Sequence, residues 1–186
     1  MRKDTWKKII THSVLLILVI SFSGCSKTSD AKDLDIQYIS SSYIVDMNNP
    51  EEVVGLSSNV FVGYVEEMAE TYYISNIPYT RYNVKVVNNI KGELPVDTTV
   101  QVNKEGGISE NTSCYILLEN DFLPDEGEYY IFNVRERNED SSYTASGVNT
   151  TVLINDTDIN ELENSEIYQK YVDAYKNQVV FRPNKY

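Results

Sequence analysis

The run Asn59-Val-Phe-Val-Gly-Tyr-Val65 constrains the fold of this chain most. It is almost wholly apolar and rich in β-branched and aromatic residues, which favour strands. A half-buried strand alternates apolar with polar residues, and this run does not. It therefore predicts a strand buried on both faces, or one in a barrel wall. Glu66 to Ile77, more polar and tyrosine-containing, reads as its extension.

The segments that follow read as short strands between turn signals. Tyr82, Val84 and Val86 alternate with Asn83 and Lys85, the period of a strand with one buried face. The phase slips at Val87 and Ile90, as a β-bulge requires. Lys91-Gly-Glu-Leu-Pro95 is a turn, Val100 and Val102 alternate again, and Gly106-Gly107 ends that strand. Tyr115–Leu118, Tyr129–Val134, Tyr143–Ala145 and Thr150–Ile154 complete the series, with turns at Pro124–Gly127 and Asn138–Ser142. Upstream, Ile36 to Met47 reads as a packing strand. A short helix starts after Asn49, with Pro50 in its first turn and Glu51 and Glu52 against its dipole, and ends near Ser57.

The tail changes period. Tyr168, Tyr171, Val172 and Tyr175 fall on one helical face, and Asp158-Ile-Asn-Glu161 has the spacing of a capping box ahead of it. Pro183 lies beyond the helix. The expected class is mainly β: a small OB-like antiparallel barrel or sandwich with a short N-terminal helix and a C-terminal helix.

From Ser58 to Val134 the order of features resembles the netrin-module and metalloprotease-inhibitor type of OB-fold. The pieces are Val60-Phe-Val-Gly63-Tyr-Val65, a strand ending in Lys91-Gly92, Val100-Gln-Val102, and Gly127-Glu-Tyr-Tyr130-Ile-Phe132. The resemblance implies the barrel alone. Inhibitors of that family place a free N-terminal cysteine amine on a catalytic zinc and hold it with disulfides. The disulfide cysteines are missing here, so the inhibitory site is not carried over. In such folds function resides in loops and grooves.

Before the barrel stands a leader. Arg2, Lys3, Lys7 and Lys8 precede the apolar stretch Ser13–Phe22, ten residues in all. A membrane-spanning helix needs about 20 apolar residues, whereas a secretory core needs roughly 7–15. The stretch ends in Phe22-Ser-Gly-Cys25, which resembles the lipobox of bacterial lipoproteins, with Phe22 where that family usually has leucine. The resemblance implies cleavage before Cys25 and a diacylglyceryl thioether on its sulfur, often with acylation of the new amine. Two chains anchor stably where one does so marginally. The alternatives are an ordinary signal cut near Ser23, with Cys25 a free thiol, and an uncleaved signal anchor. The expected division is a signal peptide at 1–24, a lipidated cysteine and flexible tether at 25–35, and one β-rich domain at 36–186. The address is the extracytoplasmic face of the cell membrane.

Cleavage leaves 162 of the 186 residues and removes Trp6 and His12, the only residues of their kinds. A chain without histidine has no imidazole for a nucleophile–base pair or for zinc. Cys114, heading an apolar run with no basic residue near it, reads as a small buried hydrophobe. The full chain has 16 basic and 28 acidic side chains; loss of the leader's four basic and one acidic groups leaves 12 and 27, a net charge of −15. That charge opposes binding to nucleic acid. Asp156-x-Asp158-x-Asn160 begins like a calcium loop but has Glu161 and Ile167 where glycine and a bidentate glutamate belong, so a helix start explains it better. No cofactor or metal is expected.

All 15 tyrosines follow Cys25. Tyr72, Tyr73, Tyr79 and Tyr82 are candidates for an aromatic surface that stacks on sugar rings or a peptide, set against an ordinary role as strand residues. The expected function is non-enzymatic: a binding or interaction module for a protein or glycan partner in the envelope. The alternative is a hydrolase of wall glycan that uses two carboxylates, a pair no local pattern identifies.

Overall fold

The computed structural model describes residues 34–181, which belong to one compact unit. The leader, Cys25 and most of the expected tether lie outside the described residues. In chain order the elements are β1 (Asp35–Ile39), α1 (Pro50–Leu56), β2 (Asn59–Ile74), β3 (Ile77–Lys91), β4 (Thr99–Glu105), β5 (Gly107–Ile108), β6 (Cys114–Leu118), β7 (Tyr129–Arg137), β8 (Ser142–Thr144), β9 (Thr151–Ile154), α2 (Asp156–Asn160) and α3 (Glu166–Lys176). The chain is mainly β, with a helix near each end of the domain, as the sequence predicts.

Five strands form a ring. β2 pairs with β3, β3 with β4, β4 with β8, β8 with β7, and β7 returns to β2. Every seam is antiparallel except β4–β8, which is parallel and joins only Val102 to Tyr143 and Asn103 to Thr144. The barrel sheet is thus antiparallel apart from this one short seam. Strand direction cannot alternate all the way round a ring with an odd number of strands, so one seam must be parallel. β9 adds to β7 outside the ring. A second sheet, β1-β6-β5, has β1 parallel to β6.

The strand that set the expectation is buried on both faces. Phe61 and Val65 point into the ring with Tyr82, Val84, Val102, Tyr130 and Phe132. Val60 and Val62 point outward, into a second core with Ile131, Ile154, Val54, Tyr168 and Tyr171. Helices α1 and α3 and strand β9 cover that outer face. Gly63 sits where the ring has no space left: a Cβ there would lie 2.4 Å from Val84 Cγ1 and 2.9 Å from the Phe61 ring.

The phase slip in β3 is a pair of bulges. Val60 opposes Lys91 and Phe61 opposes Asn89, leaving Ile90 extra; Val62 opposes Asn88 and Gly63 opposes Val86, leaving Val87 extra. Each bulge turns an apolar side chain outward, so Val86 serves the inner core while Val87 and Ile90 serve the outer one.

The helix starts follow capping chemistry. Asn49 Oδ1 accepts from Glu51 N at 3.0 Å, and α1 ends at Ser57. The expected capping box at Asp158–Glu161 is not used. Asn155 caps α2 through Asp158 N at 3.0 Å, and Ser165 caps α3 through Tyr168 N at 3.3 Å. A helical turn at Leu162–Asn164 separates the two helices, so the tail needs a fresh cap. Strand β1 is shorter than expected: Ser40 to Asn49 leaves the sheet and runs as irregular chain to α1.

Candidate functional site

Strict alternation in β3 from Ile77 to Val86 sends Tyr79, Arg81, Asn83 and Lys85 out of the barrel and Thr80, Tyr82, Val84 and Val86 in. The four candidate tyrosines therefore separate. Tyr82 is fully buried inside the barrel, where desolvation pushes its hydroxyl pKa far up. Tyr73 donates its hydroxyl to Ile108 O of β5 at 3.0 Å. Only Tyr72 and Tyr79 come together: they oppose each other across the β2–β3 hairpin and stack with ring centroids 5.6 Å apart.

Beside this pair stands Arg81, its guanidinium 4.9 Å from the centre of the Tyr72 ring. It donates to Glu70 at 2.7 Å, Asn103 Oδ1 at 2.9 Å and Asp140 at 3.3 Å. Asn103 is buried and donates to Ser142 Oγ at 2.7 Å and Tyr143 O at 3.0 Å. Ser142, together with the nearby arginines, holds the Asp140 carboxyl below the usual range. Each of the three Arg81 guanidinium nitrogens donates within the fold, so this group braces the β3–β4–β8 surface.

The next groups along the same outer face are different. Glu105 opposes Tyr79, and the Tyr79 hydroxyl hydrogen-bonds its carboxylate. Desolvation holds the Glu105 carboxyl above the usual carboxylate range, although that bond and Lys104 pull it back. Glu105 borders a cavity of about 280 Å³ on the barrel flank. The strands β4, β7 and β8 form its wall, and Ser41–Ile44, Met47 and α1 form its cover. Met47, Val53, Leu56 and Leu118 make an aliphatic lining.

Three polar groups in this cavity keep hydrogen-bonding capacity that the fold does not use. Asn133 is 2% exposed; its amide donates to Asn149 O at 3.3 Å and its side chain also meets the Tyr171 hydroxyl, which leaves Oδ1 as its one unpartnered atom. Ser146 Oγ is buried and also unpartnered. Arg135, exposed at the rim, has no ion pair or hydrogen bond among the described residues. Buried polar atoms are normally satisfied, and an orphan costs roughly 1–3 kcal/mol. Two of the unpartnered buried atoms and an unpaired guanidinium therefore lie on one cavity wall, where they leave polar capacity unused; others, such as the Tyr72 hydroxyl, lie outside it.

Strand period places this set. Asn133 and Arg135 share the outward face of β7, alternating with Phe132 and Val134 in the barrel. Thr144 of β8 stands between Arg135 and Asn103, opposite both. The signal in the sequence was an asparagine and an arginine at outward positions of an otherwise apolar strand. The covering segment gave no signal, because it has neither period nor motif. It is fixed by Met47 O, which accepts from Asn149 Nδ2 at 2.9 Å, and by Tyr43 lying against Gly147.

The end of the barrel is closed by a buried ion pair. Lys104 Nζ lies 2.7 and 2.8 Å from the two oxygens of Asp121 and 3.2 Å from Thr150 Oγ1. Both side chains are at most 2% exposed, and burial pushes the ammonium pKa down. Cys114 is half-buried, its sulfur 2.8 Å from Thr112 Oγ1, and not the core residue its sequence context implied. Among the described residues no cluster of three metal-binding groups occurs, and no helix is long and apolar enough to cross a membrane.

No protein-family model matches the chain, and no characterised protein matches it in sequence.

Proposed function

We propose that this chain is an envelope lipoprotein, anchored through lipid on Cys25, whose OB-like barrel is a non-enzymatic binding module for a partner outside the membrane. The flank cavity carries the reading: it pairs an aliphatic lining with polar groups that the fold leaves unused. The surroundings supply positioning groups and no nucleophile–base pair. The hydrolase alternative requires two carboxylates flanking a sugar bond. The cavity offers one, Glu105. Asp121, the acid buried closest to this wall through Thr150, spends both oxygens on Lys104.

The anchor rests on the leader and on Phe22–Cys25. Mass spectrometry of the native protein tests it: the expected N-terminal peptide begins at a lipidated Cys25, and a bare Cys25 or a retained Trp6 defeats it. Binding is tested by capture from envelope extract with the full chain, expecting a saturable partner that Asn133→Leu releases. Equal recovery with that variant removes the cavity from the reading.

A further inference from the structure

Glu105 and Arg135 border the same cavity without neutralising each other. No ion pair joins them among the described residues. They stand on β4 and β7 with β8 between; Arg135 faces Thr144, which faces Asn103, two residues before Glu105, so two interstrand spacings and two residues of strand separate them, roughly 12 Å at the backbone. Opposite charges held apart across an aliphatic lining bracket a ligand that carries complementary groups at its own short separation. Asn133 Oδ1 adds an unused acceptor from the buried side. Ser146 Oγ adds a hydroxyl that either donates or accepts. The acceptors therefore face a nitrogen that donates, and the unpaired Arg135 guanidinium faces an anion. A volume near 280 Å³ equals about nine waters at ~30 Å³ each, room for one residue-sized ligand.

Resting on the binding-module reading, we propose that the flank cavity takes an apolar α-amino-acid unit with a free carboxylate. Its carboxylate pairs with Arg135, its N–H donors meet Glu105 and Asn133 Oδ1, and its side chain lies against Met47, Val53, Leu56 and Leu118. A planar guanidinium suits a carboxylate because it donates two parallel hydrogen bonds. The unit has two sources, a free amino acid or the last residue of a polypeptide, and both present the same groups.

The test is calorimetric titration of the full chain in detergent with L-leucine, Gly-Gly-L-leucine, the amide of each, and N-acetylglucosamine. The proposal expects saturable binding of at least one of the two acids and at least about tenfold weaker binding of its amide, since a charge-assisted pair is lost. Binding of leucine identifies the free amino acid as a source; binding of the tripeptide alone identifies a chain terminus. Arg135→Gln abolishes the difference between acid and amide, and Asn133→Leu weakens both. Arg135 is exposed and unpaired, so its variant keeps the wild-type Tm. The proposal is overturned if neither acid binds at up to about 1 mM, if the amides bind as well as the acids, or if only N-acetylglucosamine binds. An envelope partner captured by a chain that ignores every amino-acid probe would sink this assignment and leave the binding-module reading standing.

Discussion

Lys104 and Arg135 stand on strands separated only by β8, and the fold treats them in opposite ways. Lys104 points into the end of the barrel, loses its water, and receives both oxygens of Asp121 and the hydroxyl of Thr150 in return. Arg135 points outward, stays in water, and receives nothing. A charge taken from water needs a complete set of partners. A charge left at the edge of a cavity has no such need, and its pairing capacity remains for a ligand. The same contrast separates the packed ring, where Gly63 has no room for a methyl group, from the flank, where space and polar groups are both left over.

Breaking the buried partner set has the largest expected effect. Lys104→Met leaves the buried Asp121 charge without its cation, with only the Phe122 N–H still bonded to it, and should cost about 3–5 kcal/mol in urea denaturation. The double variant Lys104→Met/Asp121→Leu should be more stable than Lys104→Met alone, because no uncompensated charge remains. A smaller loss for Lys104→Met than for the double variant would mean that the pair is not the closure described. Next is Gly63→Ala, which forces a methyl against Val84 and Phe61 and should cost about 1–3 kcal/mol. Ser165→Ala removes the cap on α3 and should cost about 1 kcal/mol, seen as a lower Tm.

Glu105 sharpens the contrast through pH. Its carboxyl is held above its ordinary value of 4.5 in the folded chain, so the folded state binds more protons than the unfolded state in the window from 4.5 upward. Its contribution to stability therefore falls as pH rises through that window and stays low at neutral pH. Glu105→Gln should flatten this part of the stability–pH curve; an unchanged slope would mean that the group is not desolvated. Arg135→Gln should have the smallest effect of all, within about 0.5 kcal/mol, as befits an exposed residue with no partner.

Much of this fold was legible in the sequence. Asn59–Val65 announced burial on both faces by the lack of alternation, and the slip at Val87 and Ile90 announced bulges by breaking a period of two. Asn49 and Pro50 announced α1 by capping chemistry. Each of these signals is local. The parallel β4–β8 seam was not legible, because it follows from closing the ring and no pair of neighbouring residues encodes it. The tail's cap was missed for a related reason: Asp158–Glu161 has the right spacing, but the chain interrupts the helix and restarts it at Ser165.

The candidate site was less legible than the barrel. Four tyrosines close in sequence divide among three places, because the sides of β2 and β3 face different neighbours. Tyr72 and Tyr79 stack outside, Tyr73 reaches β5, and Tyr82 fills the barrel. The cavity joins Glu105, Asn133, Arg135 and Ser146 from two strands and a loop under a segment with no pattern at all. Only their outward register hinted at it, and register is fixed by pairing between distant strands.

Methyl chemical-shift mapping of the full chain during titration with Gly-Gly-L-leucine and L-leucine tests the central claim most directly. Saturable shifts are expected at Met47, Val53, Leu56 and Leu118, with Val84 and Val102 inside the barrel unmoved. Shifts confined to the exposed Ile36 and Ile108 of the second sheet, or none in the cavity lining, would contradict it.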